Sequence, residues 1–208
     1  MARHMRRSSL AKPMSVADLE AAHEKYEAVV PRDLFYQLSL YLMKQAGVGR
    51  GPFTRAEALA VLLQTWKPSS YRPKRHPDPA EYLAAIEGLL VEHKKLLAGF
   101  AKRSIDSLAP ADEGPVRALY FAFEDILGKS GASKALHLLA PRFFPVWDGA
   151  IAEKAYGLHS RDDRDYWRLL RATAEQVEVV GGEAALGRNP IKAIAEYNYC
   201  RYTLKQKS

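Results

Sequence analysis

The stretch TRAEALAVLLQTW, Thr54 to Trp66, sets the pattern for the whole chain. Thr54 and Glu57 stand three apart, the spacing at which a hydroxyl and a carboxylate satisfy the free N–H groups of a helical first turn. Behind them Ala58, Leu59, Leu62 and Leu63 recur at i, i+1, i+4 and i+5, which puts all four on one face of a helix that packs inward. The same start signals recur in both directions. Ser15 with Asp18 and Ser160 with Asp163 are spaced as capping boxes, while Asp78 precedes Pro79 and Asn189 precedes Pro190 at first helical positions. These signals and the helical period predict helices near 16–29, 32–46, 55–65, 79–107, 115–127, 132–140, 149–157, 161–180 and 190–204. The 79–107 helix is expected to span the domain. Strand signals are nearly absent. The expectation is an all-α fold, a single compact multi-helix domain over residues 13–208, preceded by a disordered basic tail over 1–12.

Composition narrows the function classes. With 208 residues and 48% hydrophobic content the chain can bury one sizeable core. The longest apolar runs, such as Ala56 to Leu63, fall short of the roughly 18–20 residues that cross a bilayer. No apolar signal core follows the basic residues Arg3, Arg6, Arg7 and Lys12. The lone cysteine, Cys200, has no internal disulfide partner and no metal-ligand spacing around it. A cytoplasmic protein without membrane, metal or cofactor is therefore expected. Phosphate loops of the GxxxxGK[ST] type, HExxH and GxSxG are all missing, which removes support for nucleotide hydrolysis, zinc proteolysis and α/β-hydrolase chemistry. Asp162 and Asp163, flanked by Arg161 and Arg164, read as capping and solvated charge.

The formal charge of +7 arises from 31 Lys and Arg against 24 Asp and Glu, and the excess is clustered. Arg3, Arg6, Arg7 and Lys12 form one acid-free patch, and Arg201, Lys205 and Lys207 another. Between them, Lys67, Arg72, Lys74 and Arg75 lie beside Trp66 and Tyr71 in a proline-rich break at 67–77. Cations with interleaved aromatics suit single-stranded nucleic acid, which they can pair with and stack against. The plainer reading of such runs is solvated surface.

Candidate chemistry is concentrated in LGKSGASKALHLLAPRFFPVWDGAIAEKAYG, Leu127 to Gly157. A helix is expected to end at Leu127, a tight hairpin to follow with Gly128 and Gly131, and a short helix to start at Ala132 or Ser133. An extended linker through Phe143, Phe144 and Pro145 then leads to a helix beginning at Asp148. Lys134 opens the post-hairpin helix, and Asp148 lies 14 positions on.

This arrangement resembles a diverged helix-hairpin-helix DNA glycosylase core, of the kind found in endonuclease III and 8-oxoguanine glycosylases. Lys134 matches that family's catalytic lysine, Asp148 its catalytic aspartate, and Pro145-Val146 the dipeptide near it. Gly131 stands three residues before the lysine where the family has two, the lysine-to-aspartate separation is about one helical turn shorter, and the iron–sulfur cysteines are absent. The wider run, of the form GASKxLHxxxPxxFPxWD, and the segment EYNYCRYT, Glu196 to Thr203, also resemble a set of bacterial proteins of unknown function. The resemblance implies a helix-hairpin-helix-like element near 115–140, DNA as partner, and a glycosylase or abasic-site lyase acting on a flipped nucleotide.

These residue types suit that chemistry. An amine attacks a sugar C1′ only in its neutral form, which partial burial among Ala135, Leu138 and Leu139 would favour for Lys134. A carboxylate such as Asp148 can balance positive charge on the sugar ring and take up the amine's proton. Trp66, Tyr71, Phe143 and Trp147 are candidates for stacking on an extruded base, and Lys129, Ser130, Gly131 and Ser133 for holding a backbone phosphate through hairpin N–H groups. Each also has a simpler reading: Asp148 as a helix cap, Lys134 as a lysine with its stem on apolar surface, Phe143, Phe144 and Trp147 as core, and His137 as a packed histidine. Two other functions stay open, a non-catalytic nucleic-acid-binding domain and a protein-interaction helical domain.

Overall fold

The computed structural model describes residues 13–47, 52–66 and 78–204. Among these, ten α-helices and no strand are present, so the all-α expectation holds. The helices are α1 (Val16–Val29), α2 (Leu34–Gly47), α3 (Arg55–Trp66), α4 (Pro79–Glu92), α5 (Lys94–Ala101), α6 (Glu113–Leu139), α7 (Gly149–Tyr156), α8 (Asp163–Val179), α9 (Gly182–Leu186) and α10 (Pro190–Asn198), followed by a π-helical turn, Tyr199–Thr203. None of them is long and apolar enough to cross a membrane. The tail over 1–12, the segment bearing Lys67, Tyr71, Arg72, Lys74 and Arg75, and Lys205 and Lys207 lie outside the described residues.

Most starts follow the caps read from the sequence. Ser15 and Asp18 make both halves of a capping box, Thr54 and Glu57 do the same, and Asp78, Asp148 and Asn189 each accept a first-turn N–H. The start of α8 is displaced: Asp162, not Ser160, is the cap, accepting from Asp165 N–H at 2.9 Å. Arg161 before it adopts a left-handed φ of 54°, with its N–H on the Asp165 carboxylate. The 79–107 segment is two helices rather than one. It breaks at His93, which turns its ring toward Phe123, and it stops after Ala101, where Ile105 N–H is captured by the Arg142 carbonyl at 2.8 Å. α9, between Gly181 and Gly187, both at positive φ, was not expected.

α6 is the central element and packs against α2, α3, α4, α5 and α8. Val116, Leu119, Tyr120, Phe123 and Leu127 of its first half are buried, as are Ala132, Ala135, Leu136 and Leu139 of its second. The halves meet at Gly128, whose φ of 70° and ψ of 168° lie where only glycine is comfortable. The turn expected over 128–131 is thus a single residue, and Lys129 onward is already helical. Close packing across this turn makes Gly131 sensitive: a methyl group there would lie 2.9 Å from Leu127 Cβ, on a neighbouring turn that cannot swing away. Gly149 offers a contrast, because its methyl would meet only the mobile guanidinium of Arg161 at 2.8 Å. Gly131→Ala is expected to lose about 1–3 kcal/mol, and Gly149→Ala less than about 0.5 kcal/mol, in urea unfolding. Equal losses would refute the contrast.

Residues 140–148 cross the interior without regular structure, and their polar backbone is satisfied by side chains. Tyr166 hydroxyl donates to the Pro145 carbonyl at 3.0 Å, His137 Nδ1–H to that of Phe144 at 2.7 Å, and the Ser133 hydroxyl lies 3.3 Å from that of Trp147. Phe143, Phe144 and Trp147 have no exposed surface. Trp147 packs edge-on against Tyr120 and Tyr166 with centroids 5.8 and 5.4 Å away, and Phe143 lies against Phe100 at 4.6 Å.

Candidate functional site

A cavity of about 270 Å³ opens where the second half of α6 meets the 140–148 linker, α10 and α1. Lys134 and Asp148, separated by two helix boundaries in sequence, both line it. Tyr26 and Tyr199 give it aromatic walls, and Lys192 and Glu196 of α10 give it a second pair of opposite charges; Trp147 borders it, but its indole is fully buried and has no face open to stack a base. Both Lys134 and Asp148 are half-buried. The Asp148 carboxylate is held at both oxygens: Oδ1 accepts from Ile151 N–H at 2.8 Å as the cap of α7, and Oδ2 accepts from the Thr203 hydroxyl at 3.4 Å. Capping therefore leaves the group on the cavity wall rather than withdrawing it.

His137, one turn beyond Lys134, also reaches the cavity but is fully buried and spoken for. Its Nδ1–H bonds the Phe144 carbonyl, which leaves Nε2 to accept from the Tyr36 hydroxyl at 2.9 Å. Burial, reinforced by the nearby Lys192 charge, pushes its pKa down to about 4. It is a neutral strut joining α2, α6 and the linker. Burial likewise raises the Tyr26 and Tyr36 hydroxyls well above their ordinary pKa, with Asp33 and Glu196 adding to the effect.

Behind the cavity lies a network of buried charge. Lys192 Nζ stands 2.5 Å from the Asp33 carboxylate and 3.1 Å from that of Glu196, above the rings of Tyr26 and Tyr36 at 4.4 and 5.0 Å. Glu196 also pairs with Arg188 at 2.7 Å and with His23 at 3.0 Å. Burial alone would raise the Glu196 pKa, but Lys192 and Arg188 outweigh it and hold the carboxyl below its usual range. Asp33 is delivered by unusual backbone: Arg32 and Asp33 both adopt positive φ, 62° and 41°. Such residues cost about 1–3 kcal/mol each and persist where surrounding structure demands them.

Other expected positions fall elsewhere. Phe143 does not line the cavity; it is enclosed between Phe100, Phe144 and the Arg103 guanidinium, so its ring has no face for a base. Ser130, Gly131 and Ser133 are buried inside α6, and the Ser133 hydroxyl is engaged with the Trp147 backbone. The Ser130 and Ser133 hydroxyls are thus core groups and not surface contacts for a phosphate. The Lys129 ammonium donates to the Ser160 carbonyl, and the Lys129 carbonyl accepts from Tyr120 and Trp147. Trp66 is the last residue of α3, and its side chain lies outside what the structure describes. A second cavity, about 320 Å³, is lined by Gly149, Glu153, Leu158, His159 and Arg161 and contains neither Lys134 nor Asp148. No cluster of His, Cys, Asp and Glu among the described residues could hold a metal ion.

Sequence reasoning did not select Tyr26, Lys192, Glu196, Tyr199 or Thr203 as site residues. Only the i, i+4 spacing of Lys192 and Glu196 marked any of them locally. The two stretches singled out together, GASKALHLLAPRFFPVWD and EYNYCRYT, do meet at the cavity, through Lys134, Trp147 and Asp148 from one and Glu196 and Tyr199 from the other.

The fold and the site define an all-α protein with a charged, aromatic-walled cavity at the lower end of small-ligand size. Set beside family models, curated proteins and solved structures, the chain matches none of them.

Proposed function

We propose that this protein is a DNA glycosylase or abasic-site lyase in which Lys134 is the nucleophile and Asp148 its electrostatic partner. The observation that supports this reading is that both side chains line one cavity, whose volume of about 270 Å³ suits a single extruded nucleobase better than a larger ligand. Tyr26 and Tyr199, half-buried at the cavity wall, supply aromatic surface, whereas the Trp147 indole is enclosed and offers none. In this mechanism the Lys134 amine attacks C1′ of the sugar, the glycosidic bond breaks with its electron pair passing to the base, and the amine's proton passes to Asp148. The Thr203 hydroxyl and the Ile151 N–H keep that carboxylate oriented throughout.

Borohydride reduction in the presence of duplex DNA containing an abasic site tests the reading. The wild-type chain is expected to form a covalent adduct, because reduction fixes the Schiff base between Lys134 and C1′. Lys134→Ala is expected to abolish the adduct while salt-dependent DNA binding and the unfolding midpoint stay close to wild type. Absence of the adduct with persistent, salt-sensitive DNA binding would replace this reading with a non-catalytic nucleic-acid-binding domain. Absence of both would leave neither.

A further inference from the structure

Lys192 is a cavity-lining ammonium held between two carboxylates, one of them Asp33, which sits with Arg32 on strained backbone. The Asp33 and Glu196 carboxylates and the rings of Tyr26 and Tyr36 hold the ammonium in place, and Glu196 and Tyr26 line the cavity with it. An ammonium carries three N–H donors; Glu196 accepts one of them and Asp33 faces the charge as its second counter-ion, so donor capacity is left for a ligand. Asp33 and Glu196, with Lys192 and Arg188, are formally neutral as a group, so the wall offers an oriented donor and not a net positive field. Such a donor suits a neutral heterocycle that gains negative charge during reaction better than a phosphate that carries it from the outset.

We propose that Lys192 forms the base-binding subsite of the cavity and stabilises the departing base. This rests on the glycosylase reading above and deepens it. The ligand class is a planar heterocycle with a carbonyl oxygen or ring-nitrogen acceptor facing α10. When the C1′–N bond breaks, the electron pair leaves on the base. The Lys192 N–H holds that charge by a hydrogen bond until the base takes a proton from water on release. The proton lost by Lys134 resides on Asp148 and returns to solvent, so the step balances without any further reactant. Glu196 and Asp33 act through Lys192 as positioning residues.

The assignment separates two reactions that Lys134 alone would couple. Release of a base needs Lys192, whereas Schiff-base formation on a preformed abasic site, which has no base to release, does not. The test uses the full chain with duplexes carrying uracil, 8-oxoguanine or a preformed abasic site. Lys192→Met is expected to slow base release by about 100-fold or more, while leaving borohydride trapping of the abasic duplex within about threefold of wild type. Lys192→Gln keeps a hydrogen-bond donor between the two carboxylates and serves if the methionine variant does not fold; it is expected to slow release about tenfold and spare trapping equally. Base release unchanged in the folded variant, or release and trapping lowered together, overturns the assignment. So does wild-type protein that traps abasic DNA but releases neither base. Wild-type protein that traps nothing overturns the underlying glycosylase reading instead.

Discussion

Replacing Trp147 with alanine is expected to remove about 3–5 kcal/mol of stability, the range for emptying a fully enclosed aromatic site. The indole has no exposed surface, is flanked edge-on by Tyr120 and Tyr166, and donates through Nε1 to the Lys129 carbonyl at 3.4 Å. Its removal takes away both the transfer energy of the ring and the pin that ties the linker to the Gly128 turn. For a chain of this length, such a loss lowers the thermal midpoint by roughly 6–20 °C. Thermal or urea unfolding followed by circular dichroism reads it directly. A loss below about 1.5 kcal/mol would mean that residues 140–148 are not held as described. Trp147→Phe, which keeps most of the ring but not the N–H donor, is expected to cost less than half as much.

The second large effect is acid destabilisation through His137. Its folded pKa lies near 4, against an ordinary value of 6.5, because burial excludes the charged ring. Between these values the unfolded chain binds a proton that the folded chain refuses, so stability falls as pH drops from about 6.5 to about 4 and is fully present above that window. The size is on the order of 3 kcal/mol, from about 1.4 kcal/mol per pKa unit. Glu196 acts with the same sign but lower on the scale. Its folded pKa is depressed below 4.5, so its share is lost only as pH falls through the acidic end of the range. Urea midpoints measured from pH 7.5 to 4 should therefore drop in the wild type and change much less over that window in His137→Gln, which begins from lower stability after losing the paired bonds to Tyr36 and Phe144. Parallel pH profiles for the two proteins would contradict a neutral buried imidazole.

Helix existence was legible in the sequence because caps are local. The Ser15, Thr54, Asp78, Asp148 and Asn189 starts each depend on a side chain within three residues of the N–H it binds. The errors lie where a distant group decides. The end of α5 is set by a carbonyl at Arg142, and the displaced start of α8 by a left-handed Arg161 that no spacing rule announces. The break at Gly128 was expected, but its reduction to one residue depends on how tightly the halves of α6 pack.

The candidate site divides in the same way. Lys134 and Asp148 were visible because a resemblance and a cap position marked them, and their placement on one cavity is a matter of tertiary geometry. Phe143 and Trp147 looked equivalent in sequence as aromatics of one linker. Four residues apart in an extended chain, they have different neighbours, so Trp147 borders the cavity while Phe143 is sealed against Phe100. Tyr26 and Lys192 were invisible for a plainer reason. They come from α1 and α10, which pack on one another across most of the chain's length, and nothing local to either predicts that partnership.

That pairing of α1 with α10 has a temporal consequence. During synthesis, Lys134 and Asp148 leave the ribosome 62 and 55 residues ahead of Glu196 and Thr203 respectively, counting from their positions in the chain, so a nascent chain holds the candidate pair before it owns the walls around them. Until α10 docks, there is no enclosure, no oriented ammonium and no second support for the aspartate. The cavity is thus completed only once translation has passed Thr203, and termination between Asp148 and α10 yields a product that contains both side chains yet lacks the walls that join them.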